Sequence, residues 1–324
     1  MREILNENRM KIIGTGSAFP KHTVTNDMLS EILDTSDAWI FPRTGIKSRQ
    51  VISDEKLEDI AVEAALKALT EAGIKAEDLD YIVCSNVVNE YVTPALSCII
   101  QGIIGASCPC IDINAACAGL PFALDIVESM YQAGRVKNVL VVCAEEPSRM
   151  PDWTNRNLSV LFGDGAGALV LTEGDNIKGI KLSTASATEK LYQKRILEPT
   201  PYITKEEEHV PLQMNGQEVF KFAVSSSVKD IKYMLEELNL EADKIDHYVL
   251  HQANLRIINS IRNMFGLEES KFPVNIEKYG NTSSASSAIL LDECNKKGVF
   301  KKGDLIAISA FGAGFVSGAV ILEW

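Results

Sequence analysis

The sequence is short of several features that mark common protein classes. Its 324 residues contain no run approaching the ~18 uncharged apolar residues that a membrane-spanning helix needs. The opening MREILNENRMKIIG lacks the apolar segment of a secretory signal. Basic residues number 32 against 44 acidic ones, a formal charge of −12, which argues against nucleic acid as a general partner. We therefore expect a cytosolic globular protein without a membrane segment. Residues 1–9, before a strand at Met10, are either a short extension or a wrongly assigned start of the chain.

Histidine is scarce, and the cysteines are not spaced for metal binding. There are four His and seven Cys residues, and Cys108-Pro-Cys110 is a lone pair without a second pair or a histidine cluster nearby. Most cysteines are expected to be reduced, buried apolar residues. The glycine-rich stretches FGDGAG (162–167) and FGAGFVSG (311–318) lack the lysine and spacing of a phosphate-binding loop. We predict neither a metal site nor a bound cofactor.

What the sequence does contain is the pattern of an α/β protein. It is 46% hydrophobic, and strands rich in Val and Ile alternate with amphipathic helices. Residues 59–74 have helical spacing and a stop at Gly73, and the strand YIVCSNVV (81–88) follows. The predicted fold therefore has a largely buried sheet.

The second half of the chain repeats the plan of the first. Three pairs of segments correspond: 66–86 with 228–254, the stretch around Cys117 with 280–298, and 136–148 with 303–315. This pattern indicates an internal duplication with a boundary near residues 172–185. We expect halves 1–175 and 176–324 to share one core, because each alone would expose an apolar face.

Cys117 is the first candidate for chemistry. In INAACAGLPF (113–122) it stands where a strand gives way to a helix, and the unpaired N–H groups of a helix N-terminus favour a thiolate. Small neighbours leave room for a substrate. An isolated cysteine in such a place is otherwise read as a buried apolar residue.

The second half supplies two partners for that cysteine. His251 ends a strand just before the helix of HQANLRII, and strand ends are where α/β sheets form ligand sites. Asn281, in GNTSSAS, occupies the strand-to-helix turn that corresponds to Cys117. Each also has a structural interpretation, as a hydrogen-bonded cap or a turn residue. The turn in FGAGF could aim a backbone N–H at an oxyanion or reflect tight packing.

Taken together, these segments carry a family resemblance. INAACAGLPFAL, HQANLRII, GNTSSAS and FGAGF, with KIIGTGSAFP, TSDAWIFPRTGI (35–46) and RNLSVLFGDGAG (156–167), resemble β-ketoacyl-acyl carrier protein synthase III over residues 10–324. This family of the thiolase superfamily starts type II fatty acid synthesis. The resemblance implies a thiolase-like five-layer αβαβα fold, a homodimer, and a catalytic triad of Cys117, His251 and Asn281.

The reaction that the resemblance implies has two stages. Cys117 takes an acyl group from acyl-CoA as a thioester, and malonyl-acyl carrier protein then loses CO2 and attacks it. His251 and Asn281 would stabilise the enolate oxygen as neutral hydrogen-bond donors. The backbone N–H groups of Cys117 and Ala313 would form the oxyanion hole, although the family commonly has glycine where this chain has Ala313.

The resemblance also implies substrate contacts. Trp39, Arg43, Arg156 and Asn254 are expected to bind CoA, and Lys221 and Arg256 to dock the acidic carrier protein. Other basic positions of that docking patch are Asn263 and Met264 here, with Arg262 as a substitute. Thr93, before Pro94, and Tyr91 are expected at the far end of the acyl pocket, contributed across the dimer. A small Thr93 would admit a longer or branched acyl group unless Tyr91 fills the space.

Related activities fit less well. A degradative thiolase needs a second cysteine in the last glycine-rich turn, and an elongating synthase needs a histidine where Asn281 stands. Hydroxymethylglutaryl-CoA synthase needs a glutamate base, for which Glu90 is a weak candidate. A specialised relative that makes a secondary-metabolite or vitamin precursor with the same triad remains the main alternative. A non-catalytic binding subunit would not need all three triad residues.

Overall fold

The computed structural model describes residues 9–203 and 209–324, so nearly all of the predicted extension 1–9 lies outside it. The strands are β1 (Arg9–Ala18), β2 (His22–Thr25), β3 (Ser48–Val51), β4 (Tyr81–Ser85), β5 (Cys110–Ile113), β6 (Asn138–Glu145), β7 (Gly165–Gly174), β8 (Ile177–Ala187), β9 (Leu191–Tyr192), β10 (Gln213–Met214), β11 (His247–Leu250), β12 (Leu305–Gly312) and β13 (Gly314–Glu323). The helices are α1 (Asn26–Ser30), α2 (Asp37–Thr44), α3 (Leu57–Ala72), α4 (Leu96–Ile104), α5 (Gly119–Gln132), α6 (Arg156–Ser159), α7 (Gly216–Glu237), α8 (Leu255–Phe265), α9 (Ile276–Tyr279) and α10 (Ala285–Lys296).

Two mixed sheets carry the fold, and they share one strand order. The first runs β1-β7-β6-β4-β5 and the second β8-β13-β12-β11. In each, the first three strands are antiparallel neighbours and the next pair is parallel. The first sheet alone has an extra edge strand, β5. This shared order is what an internal duplication produces. Strand β7 ends at Gly174 and β8 begins at Ile177, and the division at residue 175 stays a prediction.

The first sheet is buried on both faces, which explains its apolar strands. Along β6, Val139, Val141 and Cys143 pack toward α5 and α10 in a central core. The alternating residues Leu140 and Val142 pack instead against α3 and α4. Period-2 alternation in a β-strand sends successive side chains to opposite faces, so one strand serves two cores.

The second sheet completes the layers. Its inner face contributes Val249, Ile308 and Val320 to the central core with α5 and α10. Its outer face contributes Tyr248 and Ala307 to a core with α7 and α8. The order is therefore helix, sheet, helices, sheet, helix. This arrangement confirms the five-layer αβαβα fold, and it brings the N-termini of α5 and α10 together between the sheets.

Element boundaries differ modestly from the predictions. Helix α3 ends at Ala72, and Gly73 caps it in the left-handed conformation (φ 66°), as its residue type indicates. Strand β4 stops at Ser85, before the predicted NVV. Helix α7 begins at Gly216, twelve residues earlier than the repeat at 228 suggested. Within residues 9–203 and 209–324, no helix has both the length and the apolar character to cross a membrane.

Candidate active site

Cys117 lies in a short 3-10 turn (Ala116–Ala118) that joins β5 to α5. The turn is tight: Ala116 has a φ of 47°, a left-handed conformation that is uncommon for a residue other than glycine. Gly119 follows, and a Cβ added there would meet the Ser85 hydroxyl oxygen at 1.8 Å. The small residue at position 119 is therefore needed for the start of α5 to pack against Ser85 at the end of β4.

The ionisation of Cys117 is governed by two opposing effects. Burial raises the pKa of its thiol to about 12, and the charge of Glu145 acts in the same direction, while a hydrogen bond from Ser283 lowers it. Burial thus opposes the expected effect of the helix N-terminus. In the resting structure the thiol is the stable form at neutral pH, so forming a thiolate requires a group that accepts its proton.

His251 follows the last residue of β11, and hydrogen bonds fix both its backbone and its side chain. Its backbone N–H donates to the Ser309 carbonyl oxygen at 2.8 Å, and its imidazole Nδ1 lies 2.6 Å from the Ser286 hydroxyl oxygen. The edge of the ring packs against Phe311 with centroids 5.2 Å apart. Burial lowers the pKa of His251 to about 3. The imidazole is therefore neutral at physiological pH.

Asn281 is positioned by its own backbone. Its N–H donates to the Leu161 carbonyl oxygen at 2.9 Å, and its carbonyl oxygen accepts the Gly163 N–H at 3.1 Å. The side-chain Oδ1 accepts the Ser283 N–H at 2.9 Å. Because Oδ1 is engaged in this way, the Nδ2 end of the amide is the side that can donate to a bound substrate.

One cavity of about 390 Å³ brings these residues together. Its walls include Cys117, His251 and Asn281, which come from the two halves of the chain. The walls are otherwise mainly apolar, with side chains such as Leu212 and Phe220. An enclosure of this kind suits an acyl chain or a pantetheine arm near a nucleophile.

The other end of the same cavity carries the residues expected to bind CoA. Trp39, Arg43 and Asn254 line it, and Arg156 lies beside it. The guanidinium carbons of Arg43 and Arg156 are 4.8 and 4.9 Å from the Trp39 ring centroid. Arg156 also forms an ion pair with Asp34, Nη1 to Oδ2 at 3.1 Å. The predicted indole and guanidinium groups thus form one cluster.

Asn254 also has a structural task. Its Oδ1 accepts the Arg256 N–H at 2.8 Å as the N-cap of α8, and its Nδ2 donates to the Arg43 carbonyl oxygen at 3.0 Å. It therefore ties α8 to α2. Of the two residues expected to dock a carrier protein, Arg256 lines the cavity mouth, and Lys221 projects from α7 with 74% of its side chain exposed.

The glycine-rich turn between β12 and β13 lies against the nucleophile. A Cβ added at Gly312 would come within 2.6 Å of the Cys117 backbone nitrogen, so the two backbones approach closely. Ala313 lines the cavity. The left-handed glycine of this turn is Gly314, with a φ of 78°, so the alanine at 313 does not occupy the position that demands glycine.

Tyr91 and Thr93 lie apart from this cavity in the single chain. They belong to the exposed loop between β4 and α4, and Tyr91 has 41% of its surface exposed. Neither lines the cavity formed by the described residues of one chain. Their expected place at the acyl pocket depends on a second chain and stays a prediction.

Three polar residues of the site were not predicted. Ser283 lies with its hydroxyl oxygen 3.4 Å from the Cys117 sulfur and 3.2 Å from Glu145 Oε1, and Ser286 contacts His251. The available signal for Glu145 was a carboxylate that ends the apolar strand NVLVVCAE, since ionisable residues are rarely buried without a role or a partner.

Within the described residues, no group of three or more His, Cys, Asp or Glu side chains could hold a metal ion.

Comparison with known proteins identifies the family. The sequence family 3-oxoacyl-[acyl-carrier-protein (ACP)] synthase III matches residues 111–188. The family of its C-terminal part matches residues 235–324. The β-ketoacyl-[acyl-carrier-protein] synthase III of Clostridium acetobutylicum is 40% identical over 98% of this chain and 99% of its own length. The chain belongs to this family. The resemblance read from the sequence motifs is therefore confirmed.

Solved structures agree with that assignment. The crystal structure of the synthase III from Aquifex aeolicus has a TM-score of 0.90 and 39% identity, covering 97% of this chain and all of the other. The priming β-ketosynthase of the R1128 polyketide pathway has a TM-score of 0.92 and 33% identity, covering 100% of this chain and 98% of its own. This chain thus shares its thiolase-like fold with a synthase III and with a polyketide priming ketosynthase.

Proposed function

We propose that this chain condenses an acyl-CoA primer with malonyl-acyl carrier protein, with loss of CO2, through an acyl-Cys117 intermediate, and so initiates type II fatty acid synthesis. One observation carries the proposal: Cys117, His251 and Asn281 face a single cavity whose mouth bears Trp39 and Arg43. The family membership supports the same reaction class.

Loading of the primer centres on Cys117 and on the turn between β12 and β13 that lies against it. The Cys117 thiolate attacks the thioester carbonyl, and CoA leaves as a thiolate. The negative charge that develops on the carbonyl oxygen would be stabilised by the backbone N–H groups of Cys117 and Ala313. The proposal is supported by the close approach of the Gly312 backbone to the Cys117 nitrogen, because two donors to one oxygen must come from neighbouring segments.

Condensation uses the C-terminal half. Loss of CO2 from the malonyl group leaves an enolate, whose oxygen would accept hydrogen bonds from His251 Nε2 and Asn281 Nδ2. A neutral imidazole suits this task, because it donates a hydrogen bond without transferring its proton. The carbanion then attacks the acyl-Cys117 carbonyl, and the cysteine is released as a thiolate.

The remaining contacts follow from the position of each residue. Trp39 would stack on the adenine ring, and Arg43 and Arg156 would pair with CoA phosphates. Asn254 would contact the pantetheine arm at the cavity mouth. Lys221 and Arg256 would attract the acidic carrier protein as a local basic patch on an acidic protein. We further propose a cytosolic homodimer in which Thr93 and Tyr91 reach the partner's acyl pocket, and a reaction that needs no bound cofactor.

A specialised synthase with a different primer is the second candidate. The structural similarity to a polyketide priming ketosynthase and the small Thr93 favour it, because a roomier pocket would admit longer or branched primers. Fold and triad do not fix the acyl group. The two candidates therefore differ in primer and pathway rather than in mechanism.

Intact-protein mass spectrometry separates these candidates. The wild type is incubated with acyl-CoAs from acetyl through branched C4 and C5 to octanoyl, then chased with malonyl-acyl carrier protein. We expect short chains to add one acyl mass that the chase removes, and Cys117→Ala to gain none. Loading of only an unusual acyl group would favour the specialised synthase, and absence of loading would contradict both enzymatic candidates.

Two further variants test which residues serve acylation and which serve decarboxylation and condensation. His251→Ala and Asn281→Ala should retain part of the acylation while losing most of the decarboxylation and condensation, because neither side chain contacts the primer carbonyl in the proposed loading step. Normal condensation by either variant would refute the triad assignment.

A further inference from the structure

A chain of three side chains leads from the nucleophile to a buried carboxylate. The Ser283 hydroxyl oxygen lies 3.4 Å from the Cys117 sulfur and 3.2 Å from Glu145 Oε1. The serine has one hydroxyl proton. When that proton points toward Glu145, the serine oxygen can accept the S–H of Cys117. These three groups are therefore arranged as donor, intermediary and acceptor.

Glu145 is built into the site as a carboxylate without a cationic partner. Only 1% of the residue is exposed. Its Oε1 also accepts the Ser284 hydroxyl at 2.6 Å, and its Oε2 accepts the Val87 N–H at 3.1 Å. Among the ion pairs formed by residues 9–203 and 209–324, none includes Glu145. Burial raises its pKa to about 7, so it can take up a proton near neutral pH.

Among the described residues, the titratable neighbours of Glu145 are weak acids. The titratable groups that face it are the thiols of Cys84, Cys117 and Cys143. The adjacent Glu146 points away, toward Arg149, with Oε2 and Nη1 3.5 Å apart. The imidazole of His251, which lines the cavity, is hydrogen-bonded at Nδ1 to Ser286, and its low pKa makes it a poor proton acceptor.

The backbone is strained at two residues beside the contact between Cys117 and Ser283. Ala116, before the nucleophile, has a φ of 47°, and Ser283 has a φ of 52°. Such left-handed conformations cost about 1 kcal/mol or more for non-glycine residues and persist where surrounding contacts enforce them. At Ser283 the enforcing contact is the hydrogen bond from its N–H to Asn281 Oδ1. Two uncommon backbone conformations therefore flank the contact between Cys117 and Ser283.

We infer that Glu145 receives the proton of the Cys117 thiol through Ser283 during primer loading. This inference rests on the proposed function and adds the group that forms the nucleophile. The S–H bond breaks as its proton binds the Ser283 oxygen, and the original Ser283 proton forms an O–H bond on Glu145. The products are a Cys117 thiolate that accepts a hydrogen bond from Ser283 and a neutral Glu145.

The cycle closes without another proton donor. One negative charge moves from the carboxylate to the sulfur and then leaves with CoA, while Glu145 keeps the proton. When condensation releases Cys117 as a thiolate, the proton returns by the reverse path through Ser283. Cys117 and Ser283 touch the reacting atoms, whereas Glu145 is a positioning residue that acts through Ser283.

A simple electrostatic role for Glu145 predicts the opposite result. The charge of Glu145 raises the pKa of Cys117, so removing that charge without a relay would make the thiol more acidic and more reactive. Removing the acceptor of a relay would make it less reactive at neutral pH. The variant Glu145→Gln, which keeps the shape and Oε1 but cannot take up a proton, therefore separates the two roles by the sign of the effect.

The experiment measures the alkylation rate of Cys117 by iodoacetamide between pH 5.5 and 9.5, with a mass-spectrometric readout at that residue. Alkylation needs no acyl-CoA, so its outcome is independent of the proposed function. We expect the wild-type rate to bend near pH 7. Glu145→Gln should be at least tenfold slower at pH 7 and should rise about tenfold per pH unit above it, because solvent must then take the proton.

Two more variants complete the test. Ser283→Ala removes the intermediary while keeping the carboxylate, and it should reproduce the slow, steep profile. Glu146→Gln is the matched control: this neighbouring carboxylate is also buried, with a pKa raised to about 7 by burial, and it should leave the profile unchanged. A faster reaction in Glu145→Gln, or equal slowing at every pH, would overturn the relay. A normal relay profile in a wild type that loads no acyl-CoA would instead refute the proposed function.

Discussion

The imidazole Nδ1 of His251 lies 2.6 Å from the hydroxyl oxygen of Ser286, and that oxygen also accepts the Gln252 N–H at 3.2 Å. Because the serine oxygen already accepts a backbone proton, its own proton is best used as a donor to Nδ1. This arrangement places the imidazole proton on Nε2, the nitrogen that can face the cavity. A residue 35 positions away thus sets the tautomer that the condensation step requires.

Replacing Ser286 should therefore damage one half-reaction. We expect Ser286→Ala to slow condensation roughly fivefold, since one hydrogen bond is worth about 1 kcal/mol and each 1.4 kcal/mol is a factor of ten in rate. Acylation of Cys117 should stay within a factor of two. The two steps are measured separately, by acyl-CoA loading and by discharge of isolated acyl-enzyme with malonyl-acyl carrier protein. Equal slowing of both steps would show that Ser286 only stabilises the fold.

The low pKa of His251 predicts a flat pH profile for condensation. Its folded-state pKa of about 3 lies below the ordinary value of ~6.5, so the ring stays neutral throughout pH 5–8. Discharge of preformed acyl-enzyme should consequently vary less than twofold over that range. The loading step of the same protein, which should bend near pH 7, is the internal comparison. An inflection of the discharge rate near pH 6.5 would mean that His251 gains a proton.

Local sequence patterns predicted the site residues whose role can be inferred from their own strand or helix. Cys117 and His251 could be predicted because each sits where a strand passes into a helix, a position that strand and cap signals mark. Glu145 and Ser283 could not, because their contact joins residues 138 positions apart and exists only where β6 meets the N-terminus of α10. A serine in GNTSSAS has an adequate explanation as a turn residue until that neighbour is known.

The same distinction applies to the fold. Alternating apolar residues predicted strands and the repeated plan predicted the duplication, since both are properties of the chain itself. The fully buried Arg49 was not anticipated. Its guanidinium donates to Asn26 Oδ1 at 2.8 Å and to the Val160 carbonyl oxygen at 2.6 Å, and such partners are set by tertiary contacts rather than by local sequence.

The close contact at Gly312 gives a test of the oxyanion hole. In Gly312→Ala the new methyl carbon would lie 2.6 Å from the Cys117 nitrogen and 2.9 Å from the Ala116 Cβ, so the turn or the nucleophile must shift. We expect acyl loading to fall at least tenfold, and by up to the ~10²–10³ that complete loss of one oxyanion donor costs. Gly102→Ala is the control, because nothing lies within 4 Å of a Cβ at that helical site. Unchanged loading in Gly312→Ala would remove this turn from the mechanism.

The basic patch predicts a charge-dependent carrier-protein interaction. Lys221→Glu should raise the KM for malonyl-acyl carrier protein roughly fivefold, the effect of about 1 kcal/mol from an exposed charge contact, and the difference should shrink at high salt. Loading from acyl-CoA should not change. Lys229→Glu makes the same charge change two turns further along α7 and should leave the KM near the wild-type value. If both variants raise the KM equally, net charge rather than a local patch governs docking.

Thr93 tests whether a second chain completes the acyl pocket. Thr93→Phe should leave acetyl loading intact and reduce octanoyl loading at least tenfold, because a bulky ring at the far wall would exclude the longer chain while each excluded methylene costs about 1–3 kcal/mol. Val92→Phe is the matched control, since Val92 adjoins Thr93 and is 79% exposed in the single chain. Thr93 itself does not line the cavity of its own chain, so we expect a direct effect on chain length to arise across a dimer. Equal loading of both acyl groups by Thr93→Phe would place the end of the pocket elsewhere, within the walls that one chain supplies.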